Sequence, residues 1–296
     1  MGFHSGADYF VLPVADQPWI VKNVLPLGGK LNIYGKPKTG KSMIGLQLAS
    51  AISSGARSWM SFGIMTHGPV AYLQVDTPRS LWMERVKHLQ AHGFDFRNVH
   101  FADAEDCPYP FDIMGEGYPW LKDNIARMEQ KPPVLIIDTT REIHSGSEDD
   151  SAQMKNVIAL LESAVPGTAL VFVSHSRKGN PQNFGQTPDL MDENRGSGYV
   201  AGRMDCVIWL RDRALSAKGR SLAETEIAIR MNPDSYALEL DDKFIMDGIR
   251  IATLGTPQGI SEAAMIQELH DLHGKKSIDA CRAVIRRICP ATVCGG

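Results

Sequence analysis

The sequence predicts an α/β protein: a mostly parallel central sheet flanked by helices, with a β-hairpin towards the C-terminus and a small helical appendage beyond it. Three observations predict it. Short apolar runs that read as buried strands alternate with segments whose apolar residues recur at helical spacing. One such strand leads into a glycine-rich loop and then a helix. Further on, the alternating segments Thr225 to Arg230 and Tyr236 to Leu240 flank the turn formers Met231-Asn232-Pro233-Asp234-Ser235, the pattern of a hairpin.

Length and composition set the frame. With 296 residues the chain accommodates one large α/β domain, placed at 1–254 with 1–30 as a lead-in, and a small helical region at 255–296. An apolar fraction of 43% with 22% charged residues is ordinary for a soluble globular protein. The formal net charge of −3 gives no global sign of a nucleic-acid partner, so any such surface is local. No apolar run is long enough to span a bilayer, so no membrane association is expected, and the N-terminus lacks a charged-then-apolar signal pattern. Five cysteines, an odd count scattered along the chain, argue for a reducing compartment, and the expected location is cytoplasmic.

The glycine-rich loop is the strongest signal. Gly35-Lys36-Pro37-Lys38-Thr39-Gly40-Lys41-Ser42 fits the phosphate-binding pattern G-x-x-x-x-G-K-[ST] without mismatch. Before it, Leu31-Asn32-Ile33-Tyr34 reads as a short buried strand. After it, Met43, Ile44, Leu46, Leu48, Ala49 and Ile52 recur at helical spacing. The N–H groups of such a loop and the helix N-terminus form an anion nest, and glycines let the backbone approach a phosphate. Lys41 then reaches the β- and γ-phosphates and the Ser42 hydroxyl sits on Mg²⁺; the nucleotide-binding set runs from Gly35 to Ser42 and includes Met43.

Carboxylates follow at the ends of later strands. Val70 to Asp76 reads as a buried strand ending in Asp76, where a base for an attacking water belongs; a helix-capping role is the alternative. Arg79 to Gln90 reads as a helix with Leu81, Trp82, Val86 and Leu89 on one face, Val99 to Phe101 as a third strand, and Trp120 to Met128 as a helix. Val134-Leu135-Ile136-Ile137-Asp138 is an apolar strand ending in the carboxylate that would hold Mg²⁺ with Ser42. Thr139 to Asp150 is polar and reads as a mobile loop at the active face. A helix over Ser151 to Val165 leads to the strand Ala169 to His175, whose Ser174 and His175 are candidates for sensing the γ-phosphate; for His175 a merely structural strand-end role is the alternative.

Arg177 to Ser197 is a long polar stretch of the kind that is functional or disordered. The strand Asp205 to Leu210, a charged connection from Arg211 to Ala223, the hairpin and an edge strand at Ile249 to Ala252 are expected next. From Gly255 the character changes: Ser261 opens a helix to about His273, Gly274 suits its C-cap, and Ser277 to Ile288 forms a second, basic helix. The pair resembles a helix-turn-helix; a capping or protein-contact module is the alternative. His270, His273, Cys281, Cys289 and Cys294 lie close in sequence but match no familiar zinc spacing.

Taken in order, these features resemble the RecA-like P-loop ATPases, most closely the branch of plasmid RepA and DnaB-type hexameric replicative helicases. The matching pieces run from Pro18 to roughly Leu240: the lead-in Pro18-Trp19 to Gly29, the phosphate loop, the strand to Asp76, the strand to Asp138, the Ser174-His175 strand end and Arg195-Gly196-Ser197-Gly198. The resemblance implies ATP and Mg²⁺ as cofactors and a homo-oligomer, a hexameric ring with ATP between neighbouring subunits. It implies that Asp76 activates water, although the family usually carries Glu there, and that a neighbour supplies an arginine near the hairpin. Arg230 is the best match, with Arg220 and Arg203 as further candidates. Single-stranded DNA would be the partner, held by loops 141–150 and 177–197 with Arg177 and Lys178 on phosphates, although Asp189, Asp192 and Glu193 dilute that charge. The implied function is an ATP-driven, helicase-like motor. A recombinase-like filament and a non-motor, ATP-dependent assembly switch in replication are the alternatives.

Overall fold

The computed structural model describes residues 4–13, 16–147, 150–176, 202–211, 214–255 and 260–273, and beyond these 278, 281, 282, 284 and 285. Arg177, Lys178, Asp189, Asp192, Glu193 and the segment Arg195 to Gly198 lie outside the described residues, as do Gly274, Cys289 and Cys294.

Thirteen strands and seven α-helices are found among the described residues. In chain order they are α1 (Gly6–Phe10), β1 (Trp19–Val21), β2 (Leu25–Pro26), β3 (Lys30–Gly35), α2 (Lys41–Ser54), β4 (Ser58–Trp59), β5 (Phe62–Gly63), β6 (Val70–Gln74) and α3 (Arg79–Ala91). There follow β7 (Val99–Asp103), α4 (Gly117–Ala126), β8 (Val134–Asp138), a 3-10 turn (Thr140–Ile143), α5 (Ser151–Ala164), β9 (Ala169–His175) and β10 (Cys206–Arg211). The C-terminal part holds β11 (Ala214–Gly219), β12 (Leu222–Met231), β13 (Leu238–Leu240), α6 (Asp242–Gly255) and α7 (Glu262–Leu272).

The main sheet has nine strands in the order β13-β12-β11-β10-β3-β9-β8-β6-β7. From β10 to β7 every pair is parallel, and from β10 to β13 every pair is antiparallel. Strands buried on both faces must be apolar throughout, which is why Val134 to Asp138 and Val70 to Gln74 carry no alternation. One face packs on α2 and α3 through Ile44, Leu48, Ile52, Trp82 and Leu89. The other packs on α4 and α5 through Leu121, Met154, Val157, Ile158 and Leu161. The phosphate-loop strand β3 lies between β9 and β10, so its C-terminal end opens near the middle of the sheet's edge.

Three expectations change. The connection from Arg211 to Ala223 contains strand β11, paired on both sides. Its Ala-Leu-Ser-Ala core carries little strand propensity, and pairing between two stronger strands imposes the conformation. Ile249 to Ala252 lies within α6 and not in an edge strand. Ile251 is buried against α7 and Ile245 packs beside it, with Gly248 one turn between them, where a Cβ would come 2.2 Å from Val284 Cγ1. A short apolar run reads equally well as either element until its partners are known. On α3, Leu81 is exposed, and the inward face is Trp82, Val86 and Leu89.

The stretch from Thr139 to Asp150 is anchored at its start. Thr139, Thr140, Ile143 and His144 are buried, Thr140 Oγ1 donates to Val173 O at 3.3 Å, and Ile113 N donates to Ile143 O at 2.9 Å. At the C-terminus Ser261 caps α7 by accepting from Ala264 N, and Cys281, Val284 and Ile285 bury against α6 and α7. Among the described residues no helix is long and apolar enough to cross a membrane.

Candidate active site

The site forms where β3 ends and α2 begins. Gly35, the last residue of β3, is held so closely that a Cβ would meet Leu210 O at 2.6 Å and Thr39 Oγ1 at 2.9 Å. Gly40 sits at φ +93, the left-handed region that glycine enters at little cost, and a Cβ there would lie 3.1 Å from Leu238 Cδ1. Between them Lys36, Pro37 and Lys38 are exposed, and Thr39 Oγ1 closes the loop by donating to Lys36 O at 2.9 Å. The helix follows at once: Ile44 N donates to Gly40 O at 2.9 Å. Met43 turns its side chain into the core beneath the sheet, so what it can offer an anion is its backbone N–H.

Lys41 is 6% exposed and its Nζ donates to Lys36 O at 2.8 Å, folded back over the loop. Burial lowers its pKa to about 8, opposed by the charges of Asp138 and Asp76. Asp138, at the tip of β8, is 2% exposed. Its carboxylate accepts hydrogen bonds from the Ser42 hydroxyl and, at 3.0 Å on Oδ2, from the Tyr72 hydroxyl. Desolvation pushes it up to about 6; the bonds from Ser42 and Tyr72 and the Lys41 charge oppose the shift, and Asp76 adds to it. The structure therefore brings Lys41, Ser42 and Asp138 together, and the mutual fields of Asp76, Lys41 and Asp138 place Asp76 at the same locus.

Asp76 is exposed, two residues beyond the end of β6. Its loop is held at both ends. Val75 N donates to Asp138 O at 3.1 Å. Arg79, at the start of α3, pairs with Asp103 at 2.6 and 2.8 Å and with Asp106 at 2.7 Å. His175 ends β9 in register with Gly35, beside the root of the loop, and Ser176 N donates to Gly35 O at 3.1 Å. Ser174 is spent elsewhere: its hydroxyl donates to Asn32 Oδ1 at 2.9 Å within the buried sheet.

The three candidate arginines are each engaged within the chain. Arg230 pairs with Glu239 across the hairpin at 3.1 Å, Arg220 with Asp205 at 3.6 Å and Arg203 with Glu162 at 3.7 Å. Sequence reasoning missed Tyr72 and Gln47. Gln47 is a buried amide on α2 that donates to Leu238 O at 2.8 Å and accepts from Leu238 N at 2.9 Å, pinning β13 over the helix that carries the loop. A lone glutamine in the otherwise apolar run Met43 to Ala49 was the available signal.

The residues suit a triphosphate with Mg²⁺. The Ser42 hydroxyl and the Asp138 carboxylate are the oxygen donors that a hard divalent cation takes. A buried carboxylate whose pKa is raised by desolvation lacks a full counter-charge, and such a cation would supply it. Residues 7–181 match the family model described as AAA domain, more than half of the chain. This chain belongs to that AAA domain family. The chain is also similar to a solved structure of a DnaB-like replicative helicase, studied for its interactions with primase. The TM-score is 0.54 at 12% sequence identity, covering 72% of this chain and 57% of that one. At such identity the likeness is one of fold, and it bears out the RecA-like P-loop architecture expected from the sequence; the chain spans 57% of that helicase structure's length.

Proposed function

We infer that this chain is a Mg²⁺-dependent ATPase working as an oligomeric, helicase-like motor on single-stranded DNA. One observation carries the reading: Ser42 and Asp138 share a hydrogen bond within the field of Lys41, on a phosphate loop that opens at the carboxyl end of the sheet. Bound Mg²⁺·ATP would supply the labile phosphoanhydride and the cation that screens its charge. With it bound, Lys41 would leave Lys36 O for phosphate oxygens, Ser42 and Asp138 would hold the cation, and the loop N–H groups would receive the anion. Asp76 would orient the attacking water and take its proton as the oxygen bonds the γ-phosphorus and the bond to the β-phosphate oxygen breaks, releasing ADP, and His175 would read the state of the terminal phosphate beside Gly35.

In an oligomer, Arg230 completes the pocket of the neighbouring copy. To do so it gives up Glu239, an exposed pair that contributes only about 0–1 kcal/mol. The DNA strand would be held by residues of the segments 141–150 and 177–197, as the family resemblance implies. The similar helicase is a replicative one that interacts with primase, which supports placing this chain in DNA replication.

A second reading is favoured by one feature. Asp76 is a methylene shorter than the Glu usual in the family, and a displacement of more than about 1 Å slows hydrolysis unless the backbone compensates. The nucleotide would then act as an assembly switch. ATP turnover measured with and without single-stranded DNA separates the two. A motor is stimulated by the strand, less so at high salt. Turnover indifferent to DNA, with ATP-dependent assembly intact, replaces the motor by the switch.

A further inference from the structure

Tyr72 stands out among the side chains that the proposed chemistry does not use. It sits in the middle of β6, 1% exposed, on the face packed beneath α2 and α3. Its neighbours on that face are apolar, and its hydroxyl has one named destination, Asp138 Oδ2 at 3.0 Å. The ring is fixed from two sides. Trp82 of α3 lies 5.2 Å away and Phe101 of β7 lies 5.7 Å away, centroid to centroid, and those two also pack edge-on at 6.2 Å. On the α2 side, Gly45 leaves room for the hydroxyl, since a Cβ there would come within 3.0 Å of it.

We propose that Tyr72 is a positioning residue for Mg²⁺. By donating to Oδ2 of Asp138 from an immobile aromatic cluster, it fixes the rotation of the carboxylate and leaves the remaining oxygen lone pairs for Ser42 and the cation. A carboxylate at the end of a strand turns freely about its last bond unless something holds one oxygen. Hydrogen bonds to the outer oxygen of a metal-binding carboxylate do this in many metal sites, and losing them typically costs 10–100-fold in metal affinity. Phenylalanine would pack equally well in this apolar setting, so packing alone does not call for the hydroxyl. The polar and charged groups around the Tyr72–Asp138 contact are Lys41 and Ser42 from α2, Asp76 from the loop after β6 and Arg85 from α3. Of these Ser42 also hydrogen-bonds Asp138, so Tyr72 and Ser42 together hold the carboxylate.

The inference rests on the reading of Asp138 as a Mg²⁺ holder, and its test separates the two. The Mg²⁺ concentration giving half-maximal ATP turnover is measured for the intact chain, Tyr72→Phe, Gly45→Ala and Asp138→Asn, together with the melting temperature without Mg²⁺ or nucleotide. Tyr72→Phe is expected to raise the Mg²⁺ requirement roughly tenfold, with the KM for ATP at saturating Mg²⁺ far less affected and the melting temperature held. Gly45→Ala, which keeps the hydroxyl but crowds it, shifts the requirement in the same direction by less. A purely structural tyrosine would lower the melting temperature and leave the Mg²⁺ requirement where it was, and that result overturns the inference while Asp138→Asn still abolishes Mg²⁺ dependence. If Asp138→Asn keeps the Mg²⁺ response of the intact chain, the underlying reading falls and the inference with it.

Discussion

Asp138 carries a buried carboxylate whose pKa stands at about 6, so the residue-scale predictions begin with pH. Its folded value lies above the ordinary 3.8, and the native state therefore keeps a proton that the unfolded chain releases. The sign follows. This group's contribution to the stability of the nucleotide-free protein is present below about pH 4 and is lost as pH rises through about 6. Under the proposed role Mg²⁺ would bind the ionised form, so Mg²⁺-dependent nucleotide binding should weaken as pH falls below about 6, which a binding titration at pH 5 and pH 7.5 would check. Lys41 poses the complementary case. Lys41→Ala removes the buried ammonium from the loop and should reduce ATP turnover by more than about 100-fold, since a positioned cation at a transferring phosphoryl group contributes several kcal/mol. For Asp76→Glu the expected result is a gain or little change in turnover. A collapse would mean that the loop held by Val75 and Arg79 is built around the shorter side chain.

At the scale of elements, the phosphate loop is held by two neighbours distant in sequence. Gln47 on α2 satisfies both backbone groups of Leu238, and Leu238 in turn covers Gly40. Gln47→Ala leaves two buried backbone groups without partners and should cost about 2–4 kcal/mol in denaturant unfolding. The Leu238 N–H would lose hydrogen-exchange protection. These contacts also show what the sequence could reveal. The phosphate loop, the strands to Asp138 and His175 and the helix from Ser261 were legible because each is a local pattern whose chemistry is complete within a dozen residues. Tyr72 and Gln47 were not, because their partners lie 66 and 191 residues away and only the sheet order brings them together. Strand β11 was hidden for the same reason: small residues acquire strand conformation from β10 and β12 on either side. In α6, a run of apolar residues was ambiguous until α7 and Ile285 showed which period it served.

At the scale of the whole molecule, the site opens at the carboxyl end of the sheet's middle strands, and the hairpin that carries Arg230 ends the strand order while its Leu238 covers Gly40 of the phosphate loop. Arg230 is exposed there, with 60% of its side chain open to solvent, so under the proposed reading it is free to reach a second copy once it leaves Glu239. Arg230→Ala should then lower ATP turnover of the assembled protein while leaving ATP binding by the isolated chain intact, a contrast visible by comparing turnover above and below the assembly concentration. With a net charge of −3, the DNA contact of the proposed motor would have to come from a local basic surface, and on that reading stimulation by single-stranded DNA should fall steeply with added salt. The account as a whole rests on Lys41, Ser42 and Asp138 gripping a triphosphate and its Mg²⁺. The most direct measurement is a calorimetric titration of ATP into the intact chain and into Asp138→Ala, each with Mg²⁺ and with EDTA. The account predicts that Mg²⁺ tightens ATP binding to the intact chain and has lost most of that effect in the variant; equal tightening in both would contradict it.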